Sequence, residues 1–196
     1  MTPPGEASDE ELASKAAAGE ERAFDLLMRR HKAGVYRFAR RYVGDADTAY
    51  EVAQETFVSA WSALKRYDPA RPFAVWLRAI ALNKCRDRAR RNAVRRLLFG
   101  GRGLDSVEAQ SSADPSPESD ELLVQREQVR LLAQAVADLP PALKEPFLLT
   151  QVEQMSQRQA AELLGVTVKT VETRVYRARR RITSVLASRE EPRSPR

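Results

Sequence analysis

Two runs of the chain carry residues whose types and spacing suit a polyanion. Between Lys84 and Arg96 stand seven basic residues (Lys84, Arg86, Arg88, Arg90, Arg91, Arg95, Arg96) against Asp87 alone. Between Lys169 and Arg181 stand six (Lys169, Arg174, Arg177, Arg179, Arg180, Arg181) against Glu172 alone. Arginine and lysine can pair with guanine O6 and N7, and glutamate can accept from cytosine N4. Hydroxyls and further arginines suit phosphates. Beside the first run, "AWSALKRYDPARPFAVWLRAIALNKCRDRARRNAVRR" interleaves Trp61, Tyr67, Phe73 and Trp76. Rings next to cations are the equipment of single-strand binding. Stacking contributes about 1–3 kcal/mol per base, which offsets the few kcal/mol needed to hold a base out of a duplex. The helical spacing of Trp61, Phe73 and Trp76 favours core positions for those rings. Tyr67, in the loop Lys65 to Pro72, is the better candidate for base contact.

Catalytic chemistry finds no comparable support. The acids are scattered without a carboxylate pair on a plausible pocket wall, and no glycine-rich phosphate loop is present. His31 is the single histidine. It lies on an apolar stripe and reads as a packed ring, so a histidine-based metal site is excluded. Cys85 is the single cysteine. It permits no internal disulfide and reads as a small packing residue, with a redox switch the lesser alternative. No cofactor, no metal and no enzymatic activity are expected. The 196 residues are 43% hydrophobic and 31% charged, with a formal net charge of +6. That balance favours a polyanionic partner. The start, "MTPPGEASDEELASKAAAGEE", has no apolar signal core, and no run approaches the roughly 18 residues of a membrane span. A cytoplasmic location without membrane insertion is expected.

The elements that must position these cations are all helical: apolar residues recur at helical spacing and β-branched runs are absent. Ser8 with Glu11 forms a capping box for a short helix stopping near Gly19. Phe24, Leu27, Met28, His31, Val35, Phe38, Ala39 and Tyr42 stripe a long helix ending by Gly44. Asp45 or Asp47 caps the next, with stripe Ala49, Val52, Ala53, Thr56, Phe57, Ala60, Trp61 and Leu64. After "RYDPARP" a helix from Phe73 carries Trp76, Leu77, Ile80 and Ala81 and runs on into the arginines. The segment "FGGRGLDSVEAQSSADPSPES" loses all periodicity and reads as a linker. Seven acids and only Arg126 lie between Asp105 and Glu127. Residues 100 to 118 would reach about 60–70 Å extended and average roughly 25 Å as a coil. Ser119 is expected to cap a helix buried through Leu122, Leu123, Val129, Leu132, Val136 and Leu139. "LPPALKEPFLLTQVEQM" is a shorter helix. Pro141 suits its start, and Pro146 must lie in its first turns or restart it.

"SQRQAAELLG" and the stretch after it read as a helix-turn-helix. Ser156 with Gln159 is a capping box, Ala160 and Ala161 allow close approach, and Gly165 ends the helix in the left-handed region. Thr167 can cap the second helix, and Val171 faces back onto the first. Lys169, Thr170, Glu172, Thr173 and Arg174 then occupy exposed early positions, with Tyr176 and Arg177 one turn later. The competing reading is a plain antiparallel helix pair with a solvated basic face. Capping, glycine placement, small residues and charge agree on the helix-turn-helix.

"AYEVAQETFVSAWSALKRYDPARPFAVWLRAIALNKCRDRARR" resembles domain two of bacterial RNA polymerase sigma factors. "LPPALKEPFLLTQVEQMSQRQAAELLGVTVKTVETRVYRARRRI" resembles their domain four. The pair, in this order and with only a short linker between, is similar to the extracytoplasmic-function type over about residues 20 to 186. The resemblance implies an all-α fold of two small helical domains, at 1–97 and 119–187, with a linker over 98–118 and a polar tail over 188–196. It implies binding to core RNA polymerase, at the β′ clamp helices and the β flap. Glu51, Val52, Gln54, Glu55 and Phe57 would make the clamp contact, although Val52 and Phe57 could equally be core. Lys65, Arg66 and Tyr67 would capture a flipped base of the −10 element, with Asn83, Arg86, Arg90 and Arg91 near that strand. Lys169, Thr170, Glu172, Thr173, Arg174 and Arg177 would read the duplex −35 element. The acidic linker would thread toward the RNA exit path. An anti-sigma partner packing over both domains is implied too. Glu172 departs from the usual pattern, since it would repel phosphate and could prefer cytosine.

Two other functions compete. A stand-alone helix-turn-helix regulator would use only the C-terminal half and leave the first basic, aromatic patch unexplained. A metal-dependent nuclease would need clustered acidic ligands that the sequence does not offer.

Overall fold

A computed structural model describes residues 7–98 and 120–190, and these form two compact helical units, one from each stretch. The expected linker, the Ser119 cap and most of the polar tail lie outside the described residues.

The first unit contains α1 (Asp9–Ala17), α2 (Glu21–Val43), α3 (Ala46–Ala63), a 3-10 turn (Leu64–Arg66) and α4 (Phe73–Leu98). The Ser8–Glu11 capping box forms in both directions, at 2.9 and 3.1 Å. Gly44 ends α2 at φ 83°. Asp45 caps α3, its Oδ2 accepting from the Thr48 N–H at 2.7 Å. Burial pushes the Asp45 carboxyl up. The hydrogen bonds from Thr48 and from the Asp47 backbone outweigh that and hold it below its ordinary 3.8. Leu27, Val35, Phe38, Val52, Phe73, Leu77 and Leu82 are buried between α2, α3 and α4. Each such side chain contributes about 1.5–3 kcal/mol relative to exposure. Cys85 is buried on α4 as a packing residue. His31 is half-buried, against the Phe73 ring and bonded through Nε2 to Asp9 Oδ2 at 2.6 Å.

The second unit contains α5 (Asp120–Ala137), α6 (Pro141–Phe147), a π-helical turn (Leu148–Val152), α7 (Gln157–Leu164) and α8 (Val168–Glu190). Pro141 opens α6, as its fixed φ and missing N–H allow. Pro146 lies inside the same helix. It cannot donate to the carbonyl one turn back. After Phe147 the helix widens into the π-helical turn, where the Glu153 N–H reaches back five residues to the Leu148 carbonyl at 3.0 Å. The Ser156–Gln159 box and the left-handed Gly165, at φ 66°, bracket α7. The Thr167 hydroxyl caps α8 by accepting from the Thr170 N–H at 3.2 Å. Val171 and Ala160 are fully buried where α7 meets α8.

Two burial expectations are corrected. On α5 only the last turns reach the core, through Ala135, Val136 and the following Leu139. Leu122, Leu123, Val129 and Leu132 are exposed, so the first half of α5 buries none of its expected apolar stripe. Trp61, expected in the core, is 41% exposed and leans on the Phe24 ring at 4.9 Å.

Two glycines of opposite kind, one ending a helix and one inside another, give a stability test. Gly165→Ala meets no atom within 4 Å, so its cost is the left-handed backbone alone. It should destabilise the protein by about 1–2 kcal/mol in thermal melts. At Gly34, inside α2, an added Cβ makes only an ordinary 3.6 Å contact with Arg78. Gly34→Ala should stabilise by about 0.5–1 kcal/mol.

Candidate nucleic-acid interface

The second basic run lies on α8, whose buried stripe is Val171, Val175, Ala178 and Ile182. That spacing turns Lys169, Glu172, Thr173 and Arg177 outward, all exposed, with Arg174 half-buried beside them. Thr170 is half-buried too, its hydroxyl 2.9 Å from that of Thr167, so it serves the cap as well as the face. Lys169 pairs with Glu172 at 3.5 Å. The lysine therefore offsets the carboxylate that would otherwise repel a phosphate. The Thr173 hydroxyl donates to the Lys169 carbonyl at 2.9 Å. Tyr176 is 61% exposed, with the Arg180 guanidinium 6.0 Å from its ring centre. Arg179 reaches across to Gln151 on the π-helical turn.

The first basic run lies on α4. Asn83, Arg90 and Arg91 are exposed, and Arg86 is half-buried with its Nη1 3.5 Å from Asn83 Oδ1. Lys65 and Arg66 project from the 3-10 turn into solvent. Tyr67 does not, and its assignment as a base-stacking ring is corrected. It is 8% exposed, its ring lies edge-on to Phe73 at 5.6 Å and 5.1 Å from Trp76, and its hydroxyl donates to the Arg71 carbonyl at 2.6 Å. Burial and then the carboxylates of Glu10, Asp68 and Asp9 push its phenol up to about 12. Tyr67 is the anchor of the loop rather than its exposed tip. Aromatic type beside basic residues could not separate those roles, because the deciding neighbours are Phe73 and Trp76 on the next helix.

The residues expected on the protein-binding face divide as well. Val52 and Phe57 are buried, the core side of the alternative left open for them, and Phe57 also lines the groove between α2 and α3. Glu51 and Gln54 are exposed and Glu55 is half-buried. Tyr50 and Val58, at 50% and 68% exposure, complete the same outer stripe of α3. They flank a groove toward α2 that Met28, Lys32, Tyr36 and Gln54 also line. These two residues escaped the sequence reading, although their spacing of four either side of Gln54 was available. Also unforeseen are two pairs across α3 and α4, Glu51 with Arg88 and Glu55 with Arg91, the latter at 3.8 Å. Among the described residues no cluster of histidine, cysteine, aspartate or glutamate could hold a metal, and no helix is long and apolar enough to cross a membrane.

Comparison with known proteins agrees with this layout. Residues 27–95 match Sigma-70 region 2 and residues 130–182 match Sigma-70, region 4. The chain is 38% identical to the RNA polymerase sigma factor CnrH of Cupriavidus metallidurans, over 95% of its own length and 98% of that protein. It is 31% identical to the ECF RNA polymerase sigma factor SigE of Mycolicibacterium smegmatis, over 87% of its length and 65% of that protein. Among solved structures, CnrH in complex with the cytosolic domain of CnrY superposes with a TM-score of 0.67. It is 33% identical there, and 93% of this chain and 99% of that one are covered. The sigma factor RpoE of Bartonella quintana, solved with the anti-sigma factor NepR, shares the fold at a TM-score of 0.68 and 21% identity, over 84% of this chain and 96% of that one.

The Tyr67 geometry makes a pH-dependent prediction. Tyr67→Phe loses the bond to the Arg71 carbonyl and should cost about 1 kcal/mol at neutral pH. A phenol raised from 10 to about 12 stabilises the fold fully below pH 10. That stabilisation fades as the pH rises toward 12. Urea melts between about pH 8 and 11.5 should show a shallower alkaline loss in the phenylalanine variant than in the wild type.

Proposed function

We propose, on the premise that this chain belongs to the bacterial RNA polymerase sigma factors of the extracytoplasmic-function type, a division of promoter recognition between its two units. The chain is an alternative sigma factor. It performs no chemistry of its own and lends sequence recognition to core polymerase in the cytoplasm. We assign 1–97 and 119–187 to the two domains and 98–118 to the tether.

The observation that carries the reading is the presence of two outward arginine faces on helices buried along their opposite stripes, one on α4 and one on α8. The α8 face, with Lys169, Glu172, Thr173, Arg174 and Arg177, is assigned to the duplex −35 element. Its early positions are those a recognition helix brings to base edges. The turn with Lys65 and Arg66, together with Asn83, Arg86, Arg90 and Arg91, is assigned to the −10 strand, with Tyr67 holding the loop from beneath. Glu51, Gln54 and Glu55, supported by Tyr50 and Val58, are assigned to the β′ clamp helices, and the second unit to the β flap. Control by an anti-sigma factor completes the assignment, supported by the complex of the 38%-identical CnrH with the cytosolic domain of CnrY.

Run-off transcription with core polymerase on a genomic fragment library, with and without this chain, tests the reading. Specific transcripts should appear only with the chain present, whereas a stand-alone regulator would bind fragments without recruiting core enzyme. Arg174→Ala should weaken duplex promoter binding by about 1–3 kcal/mol. Lys65→Ala should leave duplex binding near normal and slow opening. If both variants impair duplex binding alone, the division of labour is wrong. Binding should also fall steeply with salt, by about 10³–10⁵ between 50 and 200 mM if some six to ten phosphates are contacted.

A further inference from the structure

We propose that Glu10, on the first helix, is a positioning residue for the strand-capturing loop Lys65 to Pro72. The inference rests on the assignment of that loop to the −10 strand. Helix α4 begins at Phe73, directly after Pro72. A helix start leaves its first amides without intrahelical partners, and a proline at the preceding position has no side-chain acceptor to offer them. The acceptor comes instead from another helix: Oε1 of Glu10 takes the Phe73 N–H at 3.1 Å, from 63 residues away in sequence. A carboxylate is the favoured group there, since the N-terminal end of a helix carries partial positive charge.

Glu10 is itself held in place. Its neighbour Asp9 binds α2 twice, through Arg30 at 3.0 Å and His31 at 2.6 Å. Leu12, Ala13 and Ala16 bury the inner face of α1. Adjacent carboxylates thus divide the work, Asp9 tying α1 to α2 and Glu10 tying it to the start of α4.

Within the loop, Asp68 Oδ1 accepts from the Ala70 N–H at 3.0 Å, and the Asp68 carbonyl accepts from the Arg71 N–H at 3.0 Å. Tyr67 closes it through the Arg71 carbonyl and rests edge-on against Phe73. The residue that Glu10 caps is therefore the residue on which the loop's anchor ring sits. Removing the cap frees the first turn of α4 and the ring platform, and with them the setting of Lys65 and Arg66. It leaves the outer stripe of α3 and all of α8 untouched. The upward push of the Glu10 carboxylate on the Tyr67 phenol reports the same proximity. Glu10 also lies upstream of residues 27–95, the part matched to region 2.

The test uses the full chain with core polymerase on the promoter fragment recovered by run-off transcription, comparing wild type, Glu10→Ala and Glu10→Gln. The rate of open-complex formation is followed against holoenzyme concentration, which separates initial binding from opening. Core affinity and thermal melting are measured alongside. Glu10→Ala should slow the opening step about tenfold, with initial binding and core affinity within about twofold of wild type. Glu10→Gln should restore opening to within about threefold, because its amide oxygen can still accept from Phe73. The proposal is overturned if Glu10→Ala opens the fragment normally. It is equally overturned if initial binding, core affinity and opening fall together with the melting temperature, or if Glu10→Gln fails as Glu10→Ala does. A wild-type chain that supports no opening would overturn the assignment of the loop, and this proposal with it.

Discussion

Burial of Val171, Val175, Ala178 and Ile182 fixes the rotation of α8 about its own axis, and that rotation decides where each cation on it points. The same constraint acts on α4, where Phe73, Leu77, Leu82 and Cys85 are buried and the arginines follow on the remaining face. Arg78, early on α4, does lean inward, its guanidinium 5.0 Å from the buried Phe38 ring centre; turning the later, outward arginines in would place further charges among apolar side chains, a cost of several kcal/mol each. The apolar stripes therefore do two things at once. They hold the bundle together, and they keep a set of guanidinium groups in water, concentrated on one side and available to a polyanion.

The aromatic residues show how a rule of composition can point to the right segment and the wrong atom. Rings next to lysines and arginines mark the stretch from Trp61 to Trp76 as interesting, and the structure does place Lys65 and Arg66 at its surface. Inside it the rings serve geometry. Tyr67, Phe73 and Trp76 form a cluster with centroid separations of 5.1 to 5.6 Å. That cluster sets the angle between the 3-10 turn and the start of α4. A loop that must hold an unpaired strand needs a rigid base, because a flexible one would lose on ordering what it gained in contacts. Buried aromatics supply that base at small entropic cost and leave the charged side chains of Lys65 and Arg66 at the surface.

What was legible in the sequence was what depends on neighbours along the chain. Both capping boxes, the glycine stops at Gly44 and Gly165, the Asp45 and Thr167 caps, the buried stripes of α2 and α3 and the inward Val171 of α8 are all set within a few residues, so residue type and spacing suffice to find them. The misreadings share the opposite property. The apolar residues on the first half of α5 have good helical spacing, yet spacing says only that a face exists. Whether another helix reaches it is decided elsewhere in the unit. Trp61 failed in the same way at the end of α3. Val52 and Phe57 could be core or contact by type alone, and only the packing of α2 and α4 against α3 decided for core. Glu10 capping α4, and Glu51 and Glu55 reaching Arg88 and Arg91, join residues far apart in sequence, which leave no local signal.

Those two α3–α4 pairs bear on how the faces act together. Exposed ion pairs of this kind contribute little to stability, typically about 0–1 kcal/mol, because water screens both partners. Their consequence is one of availability. Glu51 and Glu55 stand on the stripe assigned to polymerase, and Arg91 on the helix assigned to the promoter strand. While each carboxylate holds its arginine, neither is fully presented to an outside partner, and the cationic field of α4 is partly neutralised.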